Sequence, residues 1–285
     1  MLLDQLSSLL EFLAAYPQHH ARDTAFHRFV DGIVKQAFRE AKPVFESGQK
    51  VPIAELGLID LPYEKMGAID SIDLFGLDEL LMFAFYYRNR RRYARAADIG
   101  ANIGLHSILL SRCGCEVESF EPDPQHYAKL VRNLKLNGIS NCIVHQAAVS
   151  ERRGTMQFVR VLGNTTSSHL VGAKAKPYGE LERFDVEVQD IREIAERVDL
   201  LKIDAEGHEA VILNALTLEA WNRIDSFVEI GSWENARAVF DRFASTGVNV
   251  FSQKRGWGRV ESIEHMPVSY KEGGVFISTK RSMPW

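Results

Sequence analysis

The stretch A-R-A-A-D-I-G-A-N-I-G, Ala94 to Gly104, decides the fold. A short apolar run, Ala94–Ile99, reads as a strand. It ends in a glycine-punctuated loop that opens a helix over Leu105–Cys113. Downstream the same alternation recurs. Val117–Phe120 is a strand followed by a helix over Pro124–Asn137, with Tyr127, Leu130, Val131 and Leu134 at helical spacing. Cys142–Ala147 is a third strand, and Leu200–Ile203 a fourth, followed by a helix from Glu206 to Leu216. Ser226–Ile230 is a fifth, followed by a helix over Trp233–Ala244, and Val248–Ser252 and Gly274–Ser278 close the set. Strand–helix alternation predicts parallel strands with right-handed crossovers and helices on both faces.

Outward from this core the texture changes. Residues 1–93 read as a mainly helical N-terminal cap, and 94–285 as one α/β domain with an insertion over about 154–198. Leu2, Leu6, Leu9 and Leu13 fall on one helical face with Leu3 and Leu10 beside them, and Pro17 stops that helix. Such a face packs on the chain's own core or on a second subunit, which leaves a homodimer through these helices as an expectation. Phe26, Phe29, Val30, Ile33, Val34, Ala37 and Phe38 predict a second helix, with Pro43 beyond its end. Residues 51–75 read as loops and short strands, and Leu77–Tyr87 as a third helix running into Arg88, Arg90, Arg91, Arg92 and Arg95, cations that suit a helix C-terminus. In the insertion, Thr155–Leu162 and Phe184–Val188 are expected strands, N-T-T-S-S-H (Asn164–His169) a polar loop, and Asp190 with Glu193 a capping-box pair.

Of 285 residues, 34 are Lys or Arg and 38 are Asp or Glu, for a net charge of −4; 46% are hydrophobic and 25% charged. Wholesale disorder is excluded, and a dedicated nucleic-acid binder is disfavoured. No run approaches the roughly 18 apolar residues of a membrane span. Three cysteines (Cys113, Cys115, Cys142) make no disulfide framework, and Cys113-x-Cys115 has no partners at zinc spacing. Reduced thiols and the absence of a secretory signal point to a cytoplasmic protein.

In open α/β sheets ligands bind beyond the strand C-termini. Gly100 and Gly104 let the backbone approach a ligand, and Glu121, 23 residues after Asp98, ends the next strand where a carboxylate can accept both ribose hydroxyls. A dinucleotide fingerprint is G-x-G-x-x-G, with backbone amides cradling pyrophosphate. Here an acid precedes G-x-N-x-G, which would repel pyrophosphate and suit a cationic ligand. D-x-G-x-N-x-G therefore fits S-adenosylmethionine better than NAD. A second cluster, L-L-K-I-D-A-E-G-H-E (Leu200–Glu209), places Asp204 and Glu206 at the edge of the fourth strand, where both also suit a helix N-terminus. An Asx-Pro-Pro-aromatic segment, the mark of amine-directed nucleic-acid methylation, is replaced by D-A-E-G, which favours an oxygen acceptor.

Taken together, D-I-G-A-N-I-G-L-H-S, F-E-P-D-P, L-L-K-I-D-A-E-G-H-E and V-E-I resemble the FkbM family of S-adenosylmethionine-dependent methyltransferases over about Arg95 to Ile230. The resemblance implies a Rossmann-like methyltransferase sheet, mostly parallel, of seven strands with the last antiparallel. It also implies O-methylation of a small-molecule, sugar or natural-product hydroxyl, with S-adenosylhomocysteine as product. By position, Asp98, Gly100, Asn102 and Gly104, with Ala101 between them, would hold the methionine end of the cofactor. Glu121 would hold the ribose, Pro122 and Asp123 would frame the adenosine pocket, and Ala147, Ala148 and Val149 would flank adenine.

Asp204, Glu206, His208 and His169 are the candidate general bases, with Asp204 and Glu206 favoured and Glu229 a further acceptor-side carboxylate. No metal is expected: Asp204 and Glu229 offer oxygen ligands, but Glu229-Ile230-Gly231 departs from the Asp-Asn pair of Mg²⁺ methyltransferases. Trp257, Arg255 and Arg259 are candidates to stack on and clamp a sugar or anionic acceptor. The rivals are an NAD-linked oxidoreductase, a non-catalytic binding protein that keeps the pocket, and an RNA ribose methyltransferase using the Arg88–Arg95 cluster.

Overall fold

A computed structural model of the chain describes residues 6–48, 50–52, 56–67, 69–173 and 179–285; Leu2 and Leu3 lie outside them. The helices are α1 (Leu6–Ala15), α2 (Ala25–Glu46), α3 (Leu77–Arg88), α4 (Leu105–Arg112), α5 (Pro124–Leu136), α6 (Ile191–Ala195), α7 (Glu209–Ala215) and α8 (Trp233–Phe243). A short ribbon pairs β1 (Val51–Pro52) with β2 (Leu58–Ile59). The main sheet contains β3 (Arg95–Ile99), β4 (Glu116–Phe120), β5 (Cys142–His145), β10 (Leu200–Ile203), β11 (Asp225–Glu229), β12 (Asn249–Ser252), β13 (Gly258–Arg259) and β14 (Gly274–Ser278). The insertion adds β6 (Ala147–Ser150), β7 (Gly154–Val161), β8 (His169–Leu170) and β9 (Leu181–Asp190).

The strand order is β13-β12-β14-β11-β10-β3-β4-β5. The neighbours from β5 through β11 are parallel, and β14 runs antiparallel between β11 and β12. This is a doubly wound sheet whose order reverses beside β3, placing a ligand crevice at the β3 and β10 ends. The expected seven strands and antiparallel last strand are present. The two-residue edge strand β13 is an eighth, paired antiparallel to β12.

Alternate residues explain why helices cover both faces. Ala96, Leu200, Phe227 and Phe276 join one apolar cluster, while Ala97, Leu201, Val228 and Ile277 join the other. The first cluster also contains Leu6, Leu10 and Leu13 of α1 together with Val34, Phe38 and Phe45 of α2, so the N-terminal helices bury their apolar faces in the chain's own core. Phe85 of α3 is the hub, fully buried, with ring contacts to Tyr93, Phe227, Phe276 and Trp285.

Four details depart from the sequence reading. Helix α2 runs through Pro43 to Glu46, because Ala41 and Phe45 continue its buried i, i+4 stripe; Phe29 and Ile33 face outward. The third strand ends at His145, and Ala147 opens β6, which pairs with β9 in a separate sheet of order β6-β9-β7-β8. Helix α7 begins at Glu209 rather than Glu206, whose φ of 51° takes it out of the helix. Asp190 caps α6 as expected, but Glu193 pairs with Arg153 instead of closing a capping box. The arginines after α3 form its turn, with the Arg90 guanidinium 4.3 Å over the Tyr87 ring centroid. Among the described residues no helix is long and apolar enough to cross a membrane.

Because Phe85 joins the helical layer to the sheet, Phe85→Ala should destabilise the whole chain by about 3–5 kcal/mol. Urea denaturation followed by tryptophan fluorescence and by circular dichroism should show one shifted transition by both probes. Separate transitions would show that the helical layer melts alone.

Candidate active site

Two loops meet at the sheet's C-terminal edge. In the first, the Gly100 and Ala101 N–H groups both donate to the Phe120 carbonyl at 3.0 Å. Gly100 has φ 76°, and a Cβ there would lie 1.9 Å from the Asp204 carbonyl oxygen. Only glycine permits this approach of the β3 loop to the β10 loop. In the second loop, Glu206 and Gly207 both have positive φ, and Glu209 holds the turn from inside. Its carboxylate accepts from the Ala205 and Gly207 N–H groups at 2.8 and 3.1 Å and from Asn235 Nδ2. Burial pushes Glu209 up to about 7, and these donors restrain the shift.

Between the loops lies one buried cation. Lys202 Nζ is 3.5 Å from Asp98 Oδ1, 3.7 Å from Asp204 Oδ2 and 3.2 Å from the Gly100 carbonyl. Burial works against its charge, but Asp98 and Asp204 overcome that penalty and hold the ammonium above its ordinary value. Asp98 is fully buried and accepts from Ser107 Oγ at 2.6 Å.

On one side of Asp204 opens a cleft. Gly100, Asn102, Glu121, Pro122, Asp123, Ala147, Ala148, Val149, Asp204 and Glu206 line it, with His169 of β8. Asp98, Ala101, Gly104 and His208 do not. Asp98 turns to Lys202 and Ser107. Gly104 (φ 92°) packs on Leu130, where a Cβ would lie 2.4 Å from its Cδ1. His208 is buried with Nε2 2.8 Å from Ser150 Oγ, and burial lowers its affinity for a proton. Glu121 ends β4, 6% exposed, its Oε2 accepting from Asn102 N–H at 2.8 Å and its Oε1 from Asp123 N–H at 2.9 Å. Burial pushes it up to about 8, against the pull of those two donors.

Asp123 caps α5 by accepting from Gln125 N–H, and Arg160 grips it from β7, Nε to Oδ2 at 2.6 Å and Nη2 to Oδ1 at 2.8 Å. Burial alone would raise Asp123, but the Arg160 guanidinium brings it below its ordinary value. Arg160 was absent from the sequence reading. Its signal is a lone cation inside the apolar run F-V-R-V, Phe158 to Val161. The pair ties the insertion sheet to the cleft, and His126 Nε2 lies 2.9 Å from Thr165 Oγ1 of the insertion loop.

On the other side of Asp204 is a second cavity. Asp78, Glu79 and Met82 of α3 form one wall, Lys202, Asp204, Phe227 and Glu229 the floor, and Trp257 and Tyr270 the far side. Tyr270 donates from its hydroxyl to Glu206 Oε2 at 2.9 Å. Arg255 and Arg259 are exposed and line neither cavity, so the expected clamp supplies only Trp257.

Residues 98–255 match the family model described as the methyltransferase FkbM domain. Methyltransferase sdnD of Sordaria araneosa is 32% identical over 172 residues, covering 48% of this chain and 65% of that protein. The chain thus spans less than two thirds of that relative's length. Methyltransferase 1 of Beauveria bassiana is 27% identical over 187 residues, covering 56% of this chain and 74% of that protein. Among solved structures, the precorrin-6y C5,15-methyltransferase of Geobacter metallireducens superposes with a TM-score of 0.36 at 14% identity, over 68% of this chain and 84% of that one. The ribosomal protein L11 methylase of Lactobacillus delbrueckii gives 0.37 at 14% identity, over 71% and 80%.

Removing Arg160 would strand a buried carboxylate. Arg160→Met should cost about 3–5 kcal/mol, and Arg160→Met with Asp123→Asn should recover much of it while keeping the α5 cap. Urea denaturation of both variants checks this.

Proposed function

The chain belongs to the FkbM methyltransferase family, and on that premise we propose that it moves a methyl group from S-adenosylmethionine, bound in the Glu121 cleft, to a hydroxyl of a small molecule in the Glu229 cavity. The observation that carries this reading is that the two cavities share Asp204. A donor on one side and an acceptor on the other would meet there.

The cleft residues fit such a donor. Asn102 Oδ1 and Asp204 Oδ1 are buried without a hydrogen-bond partner, and each Glu121 oxygen holds one backbone N–H, which leaves lone pairs for ribose hydroxyls. No Lys or Arg lines the cleft among the described residues. This donor set suits hydroxyls and positive charge, and the Gly100, Ala101 and Asn102 N–H groups that could cradle a pyrophosphate already donate to Phe120 and Glu121, which disfavours an NAD-linked oxidoreductase.

When bound, S-adenosylmethionine supplies a methyl carbon on a sulfonium, a leaving group that needs no protonation. The protein's part is placement and proton removal. Glu121 accepts the ribose hydroxyls. Ala148, Phe158 and Leu170 give the cleft an apolar wall that excludes water. Asp204 takes the acceptor's proton at Oδ1, the one candidate base that faces both cavities. Glu206, held by Tyr270, positions the loop. His169 faces the donor cleft alone, and His208 faces neither.

Calorimetric titration should show S-adenosylhomocysteine binding and no NADH binding; the reverse result would overturn the donor assignment. Because Glu121 carries a proton below about pH 8 and must be ionised to accept two hydroxyls, affinity should rise between pH 7 and pH 9. Glu121→Gln should weaken binding on the order of ten-fold and flatten that profile. Asp204→Asn should keep S-adenosylhomocysteine binding and lose transfer of labelled methyl to a small-molecule extract of the source organism. Full transfer by that variant would exclude Asp204 as the base.

A further inference from the structure

We propose that the acceptor carries an amine beside an apolar, hydroxyl-bearing body, and that Glu229 is the counter-ion for its ammonium. The proposal rests on the assignment of the second cavity as the acceptor site and names the chemistry that site selects.

Four acids and one cation line the cavity: Asp78, Glu79, Asp204 and Glu229 against Lys202. Three of the acids are already engaged. Asp78 pairs with Arg22 at 2.7 Å and His27 at 3.2 Å, Glu79 accepts from or faces His106 Nε2 at 2.8 Å, and Asp204 shares Lys202 with Asp98. Glu229 has no hydrogen-bond or ion-pair partner among the described residues. Its position follows from strand register: Val228 pairs with Ile203, so Glu229 stands beside Asp204 at the adjacent strand end.

A lone carboxylate beside other acids favours a cation and rejects an anion. The remaining wall suits the rest of such a molecule. Phe227, Trp257 and Met82 are apolar, and an aromatic face also attracts an ammonium. The exposed Arg255 and Arg259 lie outside, and the one lining cation, Lys202, is already paired with Asp98 and Asp204, which leaves an anionic acceptor no free counter-charge among the described lining residues. The ammonium itself, having no lone pair, is not the nucleophile. The hydroxyl oxygen forms the new bond to the methyl carbon, the sulfonium carbon–sulfur bond breaks, and the hydroxyl proton passes to Asp204.

Glu229 also gives the binding a proton signature. Burial raises its proton affinity well above the ordinary carboxylate range. The charges of Asp204, Glu79 and Glu206 raise it further, and Lys202 opposes them. Asp78 of α3 and the Tyr270 hydroxyl complete the groups facing this space. An arriving ammonium favours the ionised carboxylate, so binding is coupled to proton release.

The test uses three matched probes on the full chain: tyramine (cationic), tyrosol (neutral) and 4-hydroxyphenylacetate (anionic), titrated calorimetrically in buffers of different ionisation enthalpy. Tyramine should bind at least about ten-fold more tightly than 4-hydroxyphenylacetate, with tyrosol between them, and with proton release. Glu229→Gln should lose most of the tyramine advantage and the proton release while binding tyrosol within about two-fold of wild type. Retained tyrosol binding shows that the variant is folded, and Glu79→Gln, whose acid is already paired, should change the preference less. Equal or tighter binding of the anion, or an unchanged tyramine affinity in Glu229→Gln, overturns the proposal. The probes are titrated without donor, so failure of S-adenosylhomocysteine to bind would overturn the donor assignment and leave the charge preference standing.

Discussion

One buried ammonium holds the site in register. Lys202 sits opposite Asp98 on the neighbouring parallel strand, and its Nζ reaches the Asp98 carboxylate, the Asp204 carboxylate and the Gly100 carbonyl. Burying an ammonium is costly unless it is compensated. Here the compensation comes from both strands and both loops at once. The loops cannot separate without stranding the charge, and the missing Cβ at Gly100 lets them close on it. The partition between the two cavities is therefore set by electrostatics and steric fit together.

The same arrangement explains the division of labour among the carboxylates. Asp98, Glu121, Asp204 and Glu229 all end or adjoin strands, yet their surroundings differ. Asp98 is spent on Lys202 and Ser107. Glu121 is held by two backbone donors. Asp204 shares the ammonium and keeps one oxygen unpartnered. Glu229 lines the acceptor-side cavity with no hydrogen-bond or ion-pair partner among the described residues. Four carboxylates at neighbouring strand ends thus acquire different partners from position alone.

Much of this was legible in the sequence. Short apolar runs alternating with stretches of helical spacing marked the parallel sheet, and glycines flanking Asn102 marked the loop. Strand ends placed Glu121 and Asp204 on the crevice, where the structure has them. What escaped was what requires a third dimension. Lys202 and Glu209 lie inside the recognised L-L-K-I-D-A-E-G-H-E segment, but their structural roles depend partly on distant partners: Asp98 and Gly100 for Lys202, and Asn235 for Glu209. Arg160 was absent from that reading because its partner, Asp123, comes within reach only when the insertion folds onto α5. Pro43 was read as a stop because local rules forbid it, yet tertiary burial of Ala41 and Phe45 carried the helix past it. Of the Arg88–Arg95 cluster, Arg88 closes α3 and Arg90, Arg91 and Arg92 follow in its turn, while Arg95 opens β3; at that helix end the dipole and solvent act locally.

The two cavities also differ in where along the chain their walls originate. The Glu121 cleft is built from residues within 98–255, the segment that matches the family model. The other cavity borrows Asp78, Glu79 and Met82 from before that segment and Tyr270, Gly273 and Gly274 from after it. Substitutions in these flanks can reshape one chamber without disturbing the Gly100 loop or Lys202. The architecture thus separates a cleft built inside the family-matched segment from a cavity that depends on its flanks, with Asp204 in the wall of both.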